Sequence, residues 1–501
     1  MSTLSRRDAL RGGAALAAFL PLANACAPSR TMTAGMDDPD YVDGVRLAQM
    51  VTTGETSARE TVNAAIARTE AVNPRLNALA NETFAGARAA AETGPDGVFA
   101  GVPSFYKDLY DQAGAPTLYG SRAFEGYVAT RSADFVTAWQ DAGIVSLGKT
   151  TTPEMGLMSG TEPLVTGPTR NPWNTDHTPG GSSGGAAALV AARATPFAHA
   201  TDGGGSIRIP ASCCGLFGMK PSRQRLLDRG GAGGPPEVDI SVSHAVTLTV
   251  RDSVALFRVA ERPRSAYAPL GDLQGPSTRR LRIAYAPEPA TDTTLDPAVR
   301  QALDETAILC RDLGHEVIDF TLPIDGEEFS RNFLLYWAAG AADFAVTASK
   351  QAGQPIGPDI LEPLTLGLID LYEANKDAFP DAVAYLKAFE SRYNAMFDGF
   401  DVLLTPTLAK PPLPIGAQDP TRAFDELLET ITGFAAFTSP MNVAGAASMS
   451  VPLGWTPDGL PVGSMFSGKR GDDGLLFELA YELEAAKPWI GRRPPVSASS
   501  V

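Results

Sequence analysis

Residues 180–185 read Gly-Gly-Ser-Ser-Gly-Gly and run without interruption into Ala186-Ala187-Ala188-Leu189-Val190, a strong helix-forming sequence. Glycines that flank serines let the backbone approach another group closely and point several N–H groups at one spot. A second cluster, Gly203-Gly204-Gly205-Ser206, follows, and Ser182 and Ser206 lie 24 positions apart. The pattern is typical of a catalytic serine with an oxyanion hole, of a phosphate-binding loop, or of a flexible linker.

Two of these interpretations have specific weaknesses. The first cluster lacks the Gly-Lys-Ser/Thr ending of a P-loop, and the Gly-x-Gly-x-x-Gly pattern of dinucleotide-binding loops is absent here. A bare linker would not continue directly into a strong helix former. Residue chemistry alone still leaves the catalytic serine as one open interpretation among the three.

Outward from this junction, helical and strand patterns alternate along the chain. A helix is predicted over Val42–Thr52, and the capping box of Ser57 and Glu60 begins another that runs to about Ala71. Further helices are predicted near 84–92, 135–142, 186–194, 250–259, 297–313 and 329–400, and strands near 101–107, 144–148, 280–286, 315–320 and 402–406. This alternation favours an α/β fold with a single large mixed β-sheet between layers of helices.

Composition narrows the function classes. The 501 residues include 41 Lys and Arg against 57 Asp and Glu, which gives a net charge of −16. With 44% hydrophobic residues the chain can bury a large core, and its 49 glycines and 40 prolines imply many loops and turns. Because the chain is acidic and has no block of basic residues, it lacks the positive surface that binds polyanions. The sequence therefore excludes a polyanion-binding function, and no nucleic-acid partner is expected. The sequence shows no internal repeat and no membrane span.

The N-terminus predicts export. Ser5-Arg6-Arg7-Asp8-Ala9-Leu10 resembles a twin-arginine motif, and a short apolar run over 12–22 precedes Ala23-Asn24-Ala25, an A-x-A cleavage site. We therefore expect a signal peptide over residues 1–25, a mature domain over 26–501 and a periplasmic or exported location. Cys26 directly after the cleavage site also permits a lipid anchor, although Ala23 is not the usual leucine of a lipobox.

Cysteine and histidine spacing gives no metal site. The four cysteines form no Cys-x-x-Cys pair, and the four histidines show no His-x-x-x-His spacing. No metal and no organic cofactor are expected. The adjacent Cys213 and Cys214 are interpreted as buried packing beneath the serine loop rather than as a redox pair.

A nucleophilic serine needs a base, and the sequence offers two. His177 lies five residues before Ser182, so a Ser–His arrangement is conceivable, but no Gly-x-Ser-x-Gly elbow supports it. Lys107 follows the apolar run Val102–Tyr106, where burial would lower its pKa and free the amine. Taken alone, Lys107 could equally form an ion pair with Asp108.

The motifs occur together and in an order that resembles the amidase signature family of Ser–Ser–Lys amide hydrolases. The matching segments are Gly101-Val102-Pro103 with Lys107-Asp108, Leu147–Thr150, Asn171-Pro172-Trp173, Gly180–Gly185, Asp202–Arg208 with Pro210, Gly218–Pro221, Leu403–Thr407, Ser450–Pro452, Asp458–Gly463 and Pro488-Trp489. The resemblance covers nearly the whole chain after the leader. Segments 151–156 and 244–252 look most like the 6-aminohexanoate cyclic dimer hydrolase branch.

The resemblance implies a role for each matched residue. Ser206 would be the nucleophile, Ser182 the bridging serine after a cis peptide bond, and Lys107 the neutral base. Backbone N–H groups of Gly203, Gly204, Gly205 and Ser206 would form the oxyanion hole. Further members of the pattern would support the site without reacting, namely Ser183, Lys149 and Arg208, the last paired with a carboxylate. Met158 and Ser159 would line the acyl pocket.

The implied function is an exported hydrolase of small linear or cyclic amides that uses water and no cofactor. An esterase or carbamate hydrolase with the same residues is the alternative, and a non-catalytic binding protein is a more remote one. A role as an amidotransferase subunit on charged tRNA conflicts with the predicted export and the acidic charge. The sequence does not fix the oligomeric state, and a homodimer is compatible with it.

The chain also departs from common family patterns. These positions are Gln224, where glycine is frequent, Leu248, where arginine is, and Ala446-Ala447, where Gln-Pro is common. None is a catalytic position in the family. Because each alters the surroundings of the pocket, the substrate cannot be transferred from a single relative. The Gly/Pro-rich segment 229–236 is expected to be an exposed loop near the site.

Overall fold

The computed structural model describes residues 42–229 and 238–498. The predicted signal peptide over 1–25, Cys26 and nearly all of the Gly/Pro-rich loop lie outside these ranges. Helices and strands alternate along the described chain, as the sequence patterns predict.

The helices are α1 Gly44–Thr52, α2 Ala58–Leu76, α3 Phe84–Glu92, α4 Asp134–Asp141, α5 Gly184–Ala191, α6 Arg208–Cys214, α7 Val250–Ala260, α8 Pro297–Asp312, α9 Gly326–Ala352, α10 Pro363–Asn375, α11 Phe379–Ala395, α12 Phe424–Phe434, α13 Ser439–Val443 and α14 Asp473–Ala486. The strands are β1 Leu79–Glu82, β2 Pro103–Lys107, β3 Val145–Thr150, β4 Phe197–Asp202, β5 Phe217–Lys220, β6 Val242–Thr247, β7 Arg282–Tyr285, β8 Glu316–Asp319, β9 Val402–Pro406, β10 Ser448–Trp455 and β11 Pro461–Ser467.

A large mixed sheet organises the molecule and confirms the predicted fold class. Its eight strands follow the order β4-β6-β5-β10-β11-β9-β7-β8, with parallel pairing from β9 through β7 to β8 and antiparallel pairing elsewhere. A smaller sheet of order β1-β3-β2 accompanies it. Side chains join the two where β2 meets β4, because Ser104 Oγ donates to the Phe197 carbonyl oxygen at 3.0 Å.

Local sequence signals explain why the start of helix α2 was predicted correctly. Ser57 and Glu60 form the expected capping box, in which the Ser57 N–H donates to Glu60 Oε2 at 2.8 Å and Ser57 Oγ accepts from the Glu60 N–H at 3.2 Å. The helix nevertheless continues past Ala71 and through Pro74 to Leu76. Its buried face, which includes Val72 and Leu76, extends it beyond the point where the sequence suggests an end.

The serine-rich loop leads into α5, which is buried on every side. A helix that is apolar all round belongs in a core rather than on a surface. The packing of α5 fixes the position of the serine-rich loop before it. This loop lies beside the end of β4, where Ser183 contacts Thr201. Among residues 42–229 and 238–498, no helix is both long and apolar enough to cross a membrane.

Candidate active site

Lys107 lies at the end of β2 and is completely buried. Its Nζ donates to Ser182 Oγ at 2.7 Å and to Thr201 Oγ1 at 2.8 Å. Burial lowers the pKa of Lys107 well below its ordinary value, the Asp202 carboxylate opposes that shift, and Arg229 adds to it. Burial therefore favours the neutral amine, the form that the resemblance assigns to Lys107.

Asp108, the alternative partner of Lys107, faces another lysine. Lys149 Nζ lies 3.7 Å from Asp108 Oδ1 and also donates to Thr117 Oγ1. Burial raises the pKa of Asp108 to about 7, against the stabilising charge of Lys149. Lys149 therefore neutralises a buried carboxylate, which agrees with its predicted supporting role.

The first serine cluster is held by close backbone packing. The Gly181–Ser182 peptide bond is cis, as expected. A side chain at Gly181 would collide with the carbonyl oxygen of Gly160, and one at Gly184 would collide with Thr161. These glycines are required because neighbouring segments approach the loop too closely for any Cβ atom.

Ser183 binds the second cluster. Its Oγ donates to the Ser206 carbonyl oxygen at 2.6 Å, which links the two serine-containing segments directly. Ser183 is completely buried, whereas the Ser206 residue is 8% exposed and lines a large cavity. Ser183 thus supports Ser206 and does not face a substrate.

The loop over 203–206 presents a row of unused donors. Among the described residues, no acceptor binds the backbone N–H groups of Gly203, Gly204, Gly205 or Ser206. Gly204 and Ser206 line the cavity. Gly205 has a φ of +140° and packs against Ile209, so that a side chain there would be strained as well as obstructed. Free N–H groups beside a serine are the geometry that an oxyanion hole requires.

An ion pair fixes both ends of this loop. Arg208 donates to the Asp202 carboxylate from Nη2 at 2.9 Å and from Nε at 3.0 Å, and Asn442 Nδ2 donates to it at 2.8 Å. Burial alone would raise the pKa of Asp202. The charge and hydrogen bonds of Arg208 and the hydrogen bond from Asn442 instead lower this pKa far below its usual range. Arg208 is completely buried, which fits its predicted pairing with a carboxylate.

His177, the other candidate base, lies in a different environment. Its carbonyl oxygen accepts from the Asn171 N–H at 2.9 Å, and its backbone forms a bridge with Pro414. Among the described residues, no hydrogen bond joins His177 to Ser182 or Ser206. The structure brings Lys107, and not His177, into contact with Ser182.

The cysteine pair packs beneath the first serine cluster. Cys213 and Cys214 are both completely buried, and Cys213 Sγ lies against Gly180. Burial raises the pKa of both thiols, which therefore remain protonated. No group of three or more His, Cys, Asp or Glu side chains within the described ranges is placed to hold a metal ion.

The cavity over Ser206 has a volume of about 580 Å³ and a largely apolar lining. The predicted pocket residues Met158 and Ser159 both lie on its wall. Ser159 receives a hydrogen bond from Gln418 Nε2 at 2.9 Å. Trp337 of α9 covers the face of the loop at Gly203 and Gly204. Apolar walls with a few fixed polar groups are typical of a small-molecule site.

Some of the residues that build the site were not identified from sequence. Thr201 binds the Lys107 amine, Asn442 holds Asp202, and Trp337 closes the cavity from a distant helix. Thr201 could have been found, because it precedes Asp202 in the matched motif. No local signal marks Asn442 or Trp337, which reach the site only through the tertiary fold.

The fold and this cavity define a hydrolytic enzyme. The sequence profile of the family described as Amidase matches residues 60–477. The putative amidase AmiC of Mycobacterium tuberculosis (strain ATCC 25618 / H37Rv) is 42% identical over 458 residues, which cover 91% of this chain and 96% of that protein. The chain belongs to the amidase family and is an amide-hydrolysing enzyme.

The chain is also similar, over almost the same length, to 6-aminohexanoate cyclic dimer hydrolases in both sequence and structure. The 6-aminohexanoate-cyclic-dimer hydrolase of Pseudomonas sp. (strain NK87) is 34% identical over 483 residues, which cover 91% of this chain and 96% of that protein. A solved structure of 6-aminohexanoate cyclic dimer hydrolase superposes with a TM-score of 0.82 at 32% identity, covering 91% of this chain and 99% of the other.

Proposed function

We propose that the protein hydrolyses small linear or cyclic amides through an acyl-enzyme on Ser206, with Ser182 and Lys107 as the proton relay. The observation that carries this proposal is the 2.7 Å contact of the fully buried Lys107 amine with Ser182 Oγ. A buried neutral lysine can accept a proton that an exposed, charged lysine cannot.

In the acylation step, Ser206 Oγ attacks the amide carbonyl carbon. The Ser206 proton passes to Ser182, and the Ser182 proton passes to the Lys107 lone pair. The negative charge that develops on the carbonyl oxygen is stabilised by N–H groups of the 203–206 loop. Collapse of the intermediate breaks the carbon–nitrogen bond, and the relay returns the proton to the leaving amine.

Water completes the reaction by the same route. It attacks the acyl carbon, gives a proton to the relay and displaces Ser206, whose oxygen recovers that proton. The acid is released and the lysine is neutral again. No metal ion or organic cofactor takes part in either step.

The cavity supports a preference for uncharged, apolar acyl groups. Met158, Phe333 and Trp337 lie on its wall near Ser206, where the acyl part of a bound amide would sit. Similarity to a cyclic dimer hydrolase supports cyclic and linear amides as the substrate class. Esters and carbamates would react with the same residues, because they differ in the leaving group and not in the nucleophile.

Hydrolysis by purified protein lacking residues 1–25 tests this function, followed as amine release from amides and carbamates and as alcohol release from esters. The panel pairs aliphatic, aryl and cyclic amides with matched esters and carbamates, and Ser206→Ala and Lys107→Ala serve as inactive controls. We expect amide turnover that both variants lose. Turnover of esters or carbamates alone would reject the amide class, and turnover that survives in both variants would reject the relay.

We also propose that the enzyme is exported. The support is the twin-arginine pattern at Arg6-Arg7, the apolar run over 12–22 and the small residues at 23–25. Transport of a folded chain suits an enzyme whose described cysteines, Cys213, Cys214 and Cys310, are all buried and free.

A further inference from the structure

His199 is a completely buried side chain on β4 that lies against the backbone of Lys107. Its Nδ1 accepts the Lys107 N–H at 3.2 Å. Thr201, two residues further along the same strand, accepts from the Lys107 amine. Since alternate residues of a strand share a face, one face of β4 holds both the backbone and the side chain of Lys107.

This contact replaces a regular strand ladder. β2 pairs with β3 on one side, but toward β4 it is joined by side chains, namely Ser104 to the Phe197 carbonyl oxygen and the Lys107 N–H to His199. The imidazole therefore supplies the acceptor that a neighbouring strand would otherwise provide. A buried N–H that lost this acceptor would be left unsatisfied.

The hydrogen bond also fixes the tautomer of His199. Because Nδ1 accepts, the single ring proton of the neutral form lies on Nε2. Nε2 is buried and has no partner among the described residues. Four aromatic rings surround the imidazole with centroids 4.6–6.1 Å away: Tyr106, Tyr110, Phe135 and Trp139. A second proton would occupy Nδ1 and break the contact with Lys107.

Charged and titratable groups face the ring from several elements. They are Lys107, Tyr106 and Tyr110 from β2 and the residues after it, Lys149 from β3, His244 from β6, and Arg229, which lies over the Tyr110 ring. Burial lowers the pKa of His199 well below its ordinary value, and a proton on Lys107 would lower it further. Burial therefore favours the neutral ring, the form in which Nδ1 accepts from the Lys107 N–H.

We propose that His199 is a positioning residue for the relay, whose neutral imidazole holds the Lys107 backbone so that the amine reaches Ser182. The inference rests on the proposed function of Lys107 as the base. It assigns a functional task to a buried histidine that touches neither the cavity nor the serines.

Two substitutions and a matched control test the inference. His199→Phe keeps a buried ring and removes the acceptor, whereas His199→Asn restores an acceptor close to the position of Nδ1. His244→Phe is the control, because His244 is equally buried and pairs across the sheet with Ala200. Its ring contacts Ser253 at 2.8 Å and not Lys107.

Steady-state amide turnover is measured for each variant as a function of pH, together with its melting temperature. We expect His199→Phe to lower kcat by about 10- to 100-fold with KM within about 2-fold, since the loss is one of positioning. Its acidic limb of kcat/KM should move to higher pH as water reaches the Lys107 amine. His199→Asn should recover most of kcat and the parent pH profile, and His244→Phe should keep both.

Equal kcat and pH profiles for His199→Phe and His244→Phe would overturn the inference. If His199→Phe does not fold, His199→Asn decides, because a folded His199→Asn enzyme with a 100-fold loss of kcat contradicts the proposal and parent-like kinetics support it. The Lys107→Ala variant distinguishes failure of the proposed relay from failure of the proposed role of His199. Activity that survives in Lys107→Ala rejects the relay itself, whereas loss in Lys107→Ala with parent-like His199→Phe rejects only the role of His199.

Discussion

Complete burial of Lys107 makes its protonation state the quantity that controls the proposed chemistry. The amine is surrounded by Ser182, Thr201 and the backbone and has no exposure to water. Burial disfavours the ammonium form, which is why the proposed relay uses this lysine as a base rather than as a fixed charge. Two predictions follow at the scale of this residue.

Lys107→Arg should abolish activity. A guanidinium remains protonated in a protein and cannot take the proton of Ser182. We expect kcat to fall by about 10²- to 10⁴-fold, the range of general-base catalysis. In the parent enzyme kcat/KM should fall as the pH drops through the lowered pKa of Lys107. A folded Lys107→Arg enzyme with more than about a tenth of the parent kcat would contradict the prediction.

The same burial should cost stability, and the cost should depend on pH. Between the lowered pKa of the folded state and the ordinary lysine pKa of 10.5, the unfolded chain binds a proton that the folded chain does not. The contribution of this site to the free energy of unfolding therefore becomes more favourable as the pH rises toward that value. In urea unfolding, Lys107→Met should have a larger free energy of unfolding than the parent. The difference should be largest at low pH and should shrink as the pH rises. A difference that is constant with pH would argue against a neutral Lys107.

Residue identities predicted much of the site, but not all of it. Glycine-flanked Ser182 and Ser206 and the lysine after an apolar run carry their own local signal. The structure joins Lys107 to Ser182 by a hydrogen bond and places Ser206 on the cavity wall. Thr201, His199 and Asn442 act through contacts between strands and helices that are distant in sequence. Their residue types are ordinary, so that only the fold reveals which atoms they touch.

At the scale of elements, the Asp202–Arg208 pair connects the end of β4 to the start of α6. Both side chains are completely buried, and removal of one would leave the other without its partner. We expect Asp202→Asn to lower the free energy of unfolding by about 3–5 kcal/mol. The exposed pair Arg422–Glu426 is the control, and Glu426→Gln should cost at most about 0.5 kcal/mol. Equal losses in urea unfolding would show that burial does not govern these pairs.

Helix α9 provides Trp337, which covers the 203–206 loop and lines the cavity. Trp337→Ala should lower kcat/KM for aryl or hexanoyl amides by about 10- to 100-fold, because the buried apolar contact of the acyl group is lost. Acetyl amides, which are too short to fill the cavity, should change by less than about 3-fold. Trp455→Ala, on β10 and outside the cavity lining, is the control. Equal losses for short and long acyl groups would show that Trp337 does not set acyl preference.

Elements with strong local signals were predicted well, whereas buried strands without a continuous apolar run were not. Capping at Ser57 and the alanine-rich pattern identified α2 and α3, and strong apolar runs identified β2 and β9. β4 and β6 escaped notice, because buried strands lack the alternation of half-buried ones and contain histidine and threonine. Gln224 shows the same limit at a turn, since it adopts a φ of +59° where the family commonly has glycine.

For the whole molecule, the alternating pattern predicted the large mixed sheet correctly, but not the strand order that brings β4, α6 and α9 around one cavity. Order depends on crossings between distant segments, which periodicity does not encode. The acidic charge of −16 fits an enzyme of small neutral substrates and gives no attraction for polyanions.

Export is a prediction for the whole chain. Arg6→Lys with Arg7→Lys should retain the enzyme in the cytoplasm, because the twin-arginine pair is the feature that the pathway reads. Cell fractionation followed by amide turnover of each fraction measures the outcome. Lys387→Arg, far along the chain, serves as a charge-conserving control. Equal periplasmic activity of the double variant and the parent would reject the twin-arginine assignment.

The central claim is that Ser206 carries the acyl group, and the most direct test is to locate that group. A slowly deacylating aryl ester is mixed with the enzyme, the reaction is quenched in acid, and the peptides are sequenced by mass spectrometry. The account predicts one acyl group on Ser206, absent from Ser206→Ala and from Lys107→Ala. An acyl group on Ser182 or Ser183, or amide turnover that persists in Ser206→Ala, would contradict it.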